Sequence, residues 1–251
     1  MRIARSASRA PLLLLLCALA CPLEPRAGEG EGEGEGEGEG EGEDEAAPGF
    51  GVISGPCGIL AGELASAAPS FFDEHAIDFD DDPYDDGDLL RLTAGAQEII
   101  AEGNAGGSSV LSEAMAYEVL ARCEGATLRK TETQIEYTVD GSKITDFTVD
   151  IDGVVIAVNP VRTFVFPAGS PLTFAEAERR LEGKLDDVLI SSANVAAADA
   201  WVKQIIAVIA AEPEHVQVVR EVWQSLDAAT RHDTIVYAFV TNGDDAFIIE
   251  D

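Results

Sequence analysis

Polar side chains in two neighbouring strand-like segments could support chemistry that depends on a metal ion. Asp146 lies in the segment from Lys143 to Ile151, and Asn159 and Arg162 lie in the segment that follows it. Carboxylate and amide oxygens are ligands that Mg²⁺ accepts, and an arginine supplies a permanent positive charge. We therefore ask whether Asp146, Asn159 and Arg162 are catalytic residues or residues of an ordinary hairpin, and whether the upstream Glu113 approaches them.

The same side chains have structural interpretations that the sequence leaves open. Asp146 could be a solvated residue of a strand. Glu113 could be an acid that is favoured by the positive end of a helix dipole. Arg162 could pair with a carboxylate such as Asp146, since the chain is strongly acidic, with a net charge of −31. The elements that carry these residues decide how closely they can approach one another.

Glu113 lies near the start of a predicted helix that runs from Gly106 to Gly125. Ser108 or Ser109 is a suitable N-cap, and Gly125 is a typical residue at a helix C-terminus. Apolar residues recur in this segment at helical spacing, which places Glu113 beside an apolar face of the helix.

A three-stranded antiparallel meander is predicted over residues 133–140, 143–151 and 154–161. The first two segments alternate polar and apolar residues, whereas the third is largely apolar on both faces. Asp140-Gly141 and Asp152-Gly153 are typical hairpin turns. The downstream segments are predicted to be a helix over 173–192, a strand over 201–211, a helix over 213–230, and a terminal hairpin of 233–241 and 245–250.

This order of elements, αβββαβ, resembles the core of the restriction-endonuclease-like fold, and several motifs resemble the PD-(D/E)xK nuclease superfamily. Glu113 and the Asp146 of "ITDF" match the two acids that bind Mg²⁺ in that family. The runs "AVNPVR", "KLDDVLISSANV" and "WVKQI" are similar to segments of a divergent, uncharacterised branch. The resemblance covers about residues 106–250. It implies an α/β fold with a central mixed sheet flanked by helices, and Mg²⁺-dependent hydrolysis of phosphodiesters.

The third strand departs from the family pattern, in which an E-x-K motif supplies a further ligand and a lysine near the attacking water. Asn159 stands in place of the glutamate, and an amide oxygen is a weaker Mg²⁺ ligand than a carboxylate. Arg162 is the nearest cation, and it cannot shuttle a proton because it stays charged. Glu132 or Glu136 could supply the missing carboxylate.

The first 45 residues are predicted to be targeting and tether sequence. Residues 1–20 join three arginines to the apolar run Pro11 to Ala20, which is the layout of a secretory signal peptide. Cys21 follows "ALA", as in a bacterial lipoprotein cleavage site, so lipid attachment at Cys21 and plain secretion both fit. Residues 21–45 contain a Gly-Glu repeat and are predicted to be a disordered tether. We expect export to the bacterial cell envelope or to the medium.

The folded part is expected to begin at residue 46. Residues 46–105 form an acidic extension that packs on the domain or is partly disordered, and residues 106–251 form the nuclease-like domain. Within the extension, 71–88 is predicted to be a solvated acidic loop and 88–104 a short helix. Cys57 and Cys123 fit either one disulfide or two buried thiols.

The charge of the folded part limits its partners. It carries 12 lysines and arginines against 36 aspartates and glutamates, which gives a net charge of −24. Such a surface repels phosphate backbones at low salt, so nucleic-acid binding is disfavoured although it stays open. Membrane contact is expected only through a lipid on Cys21, and the sequence indicates no protein partner. Two functions remain: an exported Mg²⁺-dependent phosphodiesterase, or a catalytically inactive surface module on an acidic stalk.

Overall fold

The computed structural model describes residues 46–104 and 109–249, which form one seven-stranded sheet with helices on both faces. Two short 3-10 helices span Asp88–Arg91 and Glu132–Gln134. The strands are β1 (Val52–Ser54), β2 (Ser70–Asp78), β3 (Thr127–Thr131), β4 (Phe147–Ile151), β5 (Val154–Arg162), β6 (Lys203–Ala210) and β7 (Ile235–Asn242). The helices are α1 (Ala94–Glu102), α2 (Val110–Glu124), α3 (Phe174–Asn194), α4 (Pro213–Ser225), α5 (Ala228–Arg231) and α6 (Ala246–Ile249).

The sheet is mixed, with the strand order β1-β2-β7-β6-β5-β4-β3. β3, β4 and β5 form an antiparallel meander, whereas β5, β6, β7 and β2 run parallel to one another. The succession α2-β3-β4-β5-α3-β6 is the predicted αβββαβ order. The predicted α/β class, with a central mixed sheet flanked by helices, is therefore confirmed.

Two hydrophobic cores cover the two faces of the sheet. One lies between the sheet and helices α1, α2 and α6, and the other lies between the sheet and helices α3 and α4. β6 is buried along its whole length because it lies in the middle of the sheet and is covered on both faces. That position explains why its sequence is a run of isoleucine, valine and alanine rather than an alternation.

The first strand of the predicted meander was placed too late in the sequence. β3 is Thr127–Thr131 and begins two residues after Gly125, which ends α2 in the left-handed conformation. A capping box between Thr131 and Gln134 then starts a 3-10 turn, and this turn takes the chain out of the sheet. The alternating residues 133–140 therefore lie in a connection, and Asp140-Gly141 does not join paired strands.

The predicted C-terminal hairpin was wrong, although the strand β7 and the turn after it are present. After Asn242 the chain forms the short helix α6 instead of a further strand. β7 already pairs with β6 on one side and with β2 on the other, so it offers no free edge to a hairpin partner. The apolar residues Phe247 and Ile248 pack on the core from the helix.

The acidic loop predicted over 71–88 was wrong in its first half. Residues Ser70–Asp78 form β2, which lies between β1 and β7 inside the sheet. Phe71 packs toward α4 and Phe72 packs toward the α2 face. The burial of these aromatic rings therefore stabilises a strand although the segment contains acidic residues. Asp73 is paired with Arg220 of α4. Residues 46–104 thus complete the sheet, and the predicted short helix is present as α1.

Among the described residues, no helix is both long enough and apolar enough to cross a membrane.

Candidate active site

Glu113 and Asp146 line the same open pocket, which has a volume of about 260 Å³. Glu113 and Ser112 come from α2, Asp146 lies directly before β4, and Arg162 lies at the end of β5. Lys184 of α3 completes the set of charged side chains. The fold therefore brings together two acids and two cations from four separate elements.

Glu113 lies in the first turn of α2, and only 5% of it is exposed. Its Oε1 accepts a hydrogen bond from the hydroxyl of Ser109 at 2.8 Å and one from the amide of Asn104 at 3.3 Å. Burial and then the negative charge of Asp146 raise the pKa of Glu113 to about 7, although the two hydrogen bonds oppose this shift. Glu113 therefore exchanges its proton near neutral pH.

Ser109 holds Glu113 instead of capping the helix in the way the sequence predicted. It occupies the N-cap position of α2, but its side chain makes no capping hydrogen bond to the backbone. Its hydroxyl donates to the carboxylate of Glu113, one helical turn further along. Ser108, the other predicted cap, lies outside the described residues.

Asp146 lies one residue before β4 begins, and hydrogen bonds of the preceding residue, Thr145, hold its backbone in place. The buried Thr145 donates its N–H to the hydroxyl of Tyr137 at 2.7 Å, and its own hydroxyl accepts from Asn159 at 2.7 Å. The side chain of Asp146 is 18% exposed, and its Oδ2 accepts a hydrogen bond from Lys184 at 3.1 Å. Burial raises the pKa of Asp146, and Lys184 opposes that shift.

Asn159 is not among the residues that line the pocket. It follows Val158, which pairs with Phe147, and its side chain is buried with its amide donating to Thr145. Its interaction with the site is therefore indirect, through the residue that precedes Asp146. The catalytic role that the sequence analysis considered for Asn159 stays a prediction, and the structure shows its amide held by Thr145.

Lys184 is the site residue that the sequence analysis missed. A lysine near the aspartate is what the family resemblance implied for the third strand, and here α3 provides one, 38 residues after Asp146. Leu181 and Val188, one turn to either side of Lys184, are both buried. This placement on the inward face of an amphipathic helix is the signal that could have identified it.

Arg162 and Glu132 lie near the site in different ways. Arg162 lines the pocket, and one of its guanidinium nitrogens donates to the carbonyl of Ile248 at 3.4 Å. The charge of Glu132 contributes to the raised pKa values of Glu113 and Asp146, so it lies within electrostatic reach of both. Glu136, the alternative acid, is exposed, and its backbone N–H donates to Asp199.

The donor set fits a hard divalent cation in part. Two neighbouring carboxylates with raised pKa values gain from a cation between them, and the buried hydroxyl of Ser112 in the same pocket has no hydrogen-bond partner among the described residues. Within the same part of the chain, no third acid forms a tight group with Glu113 and Asp146. Over residues 46–104 and 109–249, the group of three whose ligand atoms lie within 4.8 Å of one another is instead His75, Cys123 and Glu124.

The cysteines of the folded part are joined to each other. Cys57 and Cys123 form a disulfide whose Cα atoms are 4.6 Å apart. It ties the chain before β2 to the end of α2. Cys21, the predicted lipidation site, lies in the segment 1–45, outside the described residues.

Comparisons with known proteins give limited information. No family model matches the chain. It is 40% identical over 152 residues to the AAC-rich mRNA clone AAC4 protein of Dictyostelium discoideum, a match that covers 58% of this chain and 22% of that protein. The chain thus spans about a fifth of the length of that relative.

A solved structure of SfsA from Pyrococcus furiosus, described as a complex with Ca²⁺, aligns with 54% of this chain and 58% of its own length. The sequence identity is 12% and the TM-score is 0.28. A likeness of that extent carries no argument about the site, so the fold and the function rest on the residues described above.

Proposed function

We propose that this protein is an exported phosphodiesterase of the nuclease-like class that depends on a divalent cation, with Mg²⁺ as the expected ion. The observation that carries the proposal is the convergence of Glu113, Asp146 and Lys184 on one pocket. The two acids lie close enough for the charge of Asp146 to raise the pKa of Glu113, an arrangement that a bound cation would relieve.

Each side chain has a role that follows from its surroundings. Glu113 and Asp146 would hold the cation through carboxylate oxygens. Mg²⁺ would supply Lewis-acid chemistry at the phosphoryl group. Lys184, which already donates to Asp146, would turn its ammonium group toward a phosphate oxygen or the attacking water. Arg162, at the rim of the pocket, would bind a second phosphate oxygen.

Nucleic acid is the proposed substrate class, and the charge of the domain sets the conditions for it. The net charge of −24 over residues 46–251 repels polyanions, so binding should need divalent cations or raised ionic strength to screen it. Within the pocket, Lys184 and Arg162 offset the charges of Glu113 and Asp146.

The proposal includes export of the protein, either as a secreted chain or as a chain attached to a membrane by a lipid on Cys21. The disulfide between Cys57 and Cys123 supports export, since such bonds persist in oxidising compartments. Mass spectrometry of the secreted or membrane-associated protein tests this part directly. A chain that starts at Cys21 and carries acyl groups is expected for the anchored form, and an uncleaved chain without acyl groups would contradict both forms.

A second candidate function is a binding or structural module without catalysis. Lys184 already compensates the charge of Asp146, and Asn159 stands where the family pattern has an acid. These two features favour a domain that keeps the fold without the chemistry.

The deciding experiment is hydrolysis of single- and double-stranded DNA and RNA by the full chain with Mg²⁺ or Mn²⁺, at low and high salt. Asp146→Asn and Glu113→Gln should each lower the rate at least a hundredfold. Asp186→Asn is the matched control, because Asp186 is an exposed acid of the same helix as Lys184. Activity that survives in both site variants, or no activity in the parent chain, would favour the module.

A further inference from the structure

A second cluster of metal-ligating side chains lies on the α2 face of the sheet, among residues that do not line the pocket of Glu113 and Asp146. His75 of β2 and Cys123 and Glu124 of α2 are all buried, and His75 is only 2% exposed. Each offers one ligand atom, and these atoms lie within 4.8 Å of one another. Imidazole, thiolate and carboxylate are the side chains that bind zinc in proteins.

An irregularity in β2 turns His75 toward this cluster. Phe72 pairs with Tyr237 and His75 pairs with Phe239, so β2 has one residue more than β7 across that step. Without the extra residue, a side chain three positions after Phe72 would point to the opposite face of the sheet. With it, the His75 ring stacks on the ring of Tyr237 at 4.4 Å.

The hydrogen bonds of His75 leave one ring nitrogen available as a ligand. Nε2 lies 2.7 Å from the carbonyl oxygen of Pro56, and since a carbonyl can only accept, Nε2 carries the proton. Nδ1 then has a lone pair, and it is buried without a partner. A histidine that donates one N–H to a backbone carbonyl and keeps the other nitrogen bare is the usual arrangement at a metal centre.

Glu124 is oriented by its own donors. Its Oε2 accepts from the backbone N–H of Leu60 at 3.0 Å, and its Oε1 accepts from the hydroxyl of Tyr237 at 3.2 Å. Tyr237 thus contacts both His75 and Glu124. Such supporting groups fix the direction of a ligand before an ion arrives.

The disulfide is what keeps the sulfur atoms of this cluster from binding a metal. Cys123 Sγ is bonded to Cys57 Sγ, and a metal ligand must be a free thiolate. We propose that reduction of the Cys57–Cys123 disulfide converts this cluster into a zinc site with Cys57, Cys123, His75 and Glu124 as its four ligands.

The chemistry of the conversion balances with a dithiol as the reductant. The dithiol gives two electrons and two protons, its own sulfurs become a disulfide, and the Cys57–Cys123 bond breaks to give two thiols. Zinc then binds both sulfurs as thiolates, and two protons leave to solvent. Cys57 is half-buried rather than enclosed, so the reductant and the ion can enter from its side.

The geometry requires modest movement. Ligands of a tetrahedral zinc ion lie roughly 3.3–3.8 Å apart for the usual zinc–ligand distances of about 2.0–2.3 Å. The ligand atoms of His75, Cys123 and Glu124 lie within 4.8 Å of one another, and Cys57 Sγ is bonded to Cys123 Sγ. Breaking that bond frees both sulfurs to rotate toward the ion. Two thiolates select zinc over Mg²⁺, so this site differs in its ion from the pocket of Glu113 and Asp146.

The test is a titration of the full chain with Co²⁺, a spectroscopic substitute for zinc, before and after reduction, with zinc added as a competitor. The reduced protein should bind one Co²⁺ per chain more than the oxidised protein does, with a thiolate-to-cobalt absorption band that zinc removes. The oxidised protein should show no such band. Cys57→Ser and His75→Gln should each weaken Co²⁺ binding to the reduced chain at least tenfold.

His215→Gln is the matched control. Like His75, His215 is buried, its Nε2 lies beside a backbone carbonyl, and its Nδ1 has no partner among the described residues. Unlike His75, it does not belong to the cluster of metal-ligating side chains. It should leave the band unchanged, as should Asp146→Asn. Circular dichroism follows the fold in parallel. If reduction unfolds the chain and Co²⁺ restores it, the proposal holds. A reduced chain that Co²⁺ neither binds with a thiolate band nor refolds overturns it, as does a band that persists in His75→Gln.

Discussion

At the scale of single residues, Glu113 is the group whose charge depends most on its neighbours. Its pKa of about 7 in the folded protein lies above the ordinary value of 4.5, so the folded state binds a proton more tightly than the unfolded state does. The stability that this proton provides is present at low pH and is lost as pH rises from about 4.5 through about 7.

We therefore predict that Glu113→Gln flattens the pH dependence of the free energy of unfolding. Between pH 5 and pH 8 the parent chain should lose about 2.5 kcal/mol more than the variant, since one pKa unit corresponds to about 1.4 kcal/mol. Urea unfolding at the two pH values measures this difference. Glu102→Gln, at an exposed position at the end of α1, should behave like the parent. Equal pH dependence in parent and Glu113→Gln would show that the pKa of Glu113 is the same in the folded and unfolded states, which would contradict the prediction.

Lys184 has opposite effects on metal binding and on hydrolysis in this account. Its ammonium group compensates Asp146, so Lys184→Met should bind Mn²⁺ several-fold more tightly because a competing positive charge is removed. The same variant should lose most of its hydrolytic activity, because no amine remains near the substrate. Calorimetry and the hydrolysis assay measure the two effects.

Lys143→Met serves as the control for Lys184, since Lys143 pairs with Asp187 of the same helix and is exposed. It should change neither Mn²⁺ affinity nor rate. Parental activity in the Lys184→Met variant would contradict the proposed role of Lys184 in hydrolysis.

At the scale of elements, α1 depends on a glycine for its packing on α2. A Cβ atom at Gly95 would lie 2.4 Å from the ring of Tyr117, which is buried and whose hydroxyl accepts the N–H of Leu128. We predict that Gly95→Ala lowers the free energy of unfolding by about 1–3 kcal/mol, because the ring has no space to move into.

The matched control is Gly183→Ala in α3, where an added Cβ meets open space. That variant should raise the free energy of unfolding by up to about 1 kcal/mol, the usual gain for alanine over glycine within a helix. Urea unfolding of both variants makes the comparison. Stabilisation by Gly95→Ala would contradict the close packing of α1 on α2.

The sequence predicted the elements whose pattern is local and missed those that depend on pairing. α2, β4, β5, α3, β6 and α4 follow from periodicity and from helix-ending residues, whereas the first strand of the αβββαβ order was placed too late in the sequence. β2 was missed because its acids suggest a loop. Only its place between β1 and β7, with Asp73 paired to Arg220, explains why it is a strand.

The candidate site was predictable to the same extent. Glu113 and Asp146 could be chosen from the family resemblance, and the structure places both in one pocket. Lys184 could not be chosen in that way, because it comes from a helix whose inward face is known only after packing. For Asn159 the sequence gives the strand but not the direction of the side-chain amide, which donates to Thr145.

At the scale of the whole molecule, negative charge opposes folding. The domain has a net charge of −24, and salt screens repulsion between exposed charges over about 10 Å at 0.1 M. We predict that NaCl between 0.05 and 0.5 M raises the midpoint of thermal unfolding by several degrees. Choline chloride should have a similar effect, which separates screening from specific sodium binding. A midpoint that falls with both salts would contradict this view.

The central claim is that Glu113 and Asp146 together hold a divalent cation. The most direct measurement is Mn²⁺ binding to the oxidised full chain, followed by electron paramagnetic resonance in 0.15 M NaCl, which suppresses weak binding to surface acids. In the oxidised chain Cys57 and Cys123 are joined in a disulfide and cannot bind Mn²⁺ as thiolates. The account predicts one Mn²⁺ per chain, with affinity reduced at least tenfold in both Glu113→Gln and Asp146→Asn and unchanged in Asp186→Asn. Parental binding in both site variants would contradict it.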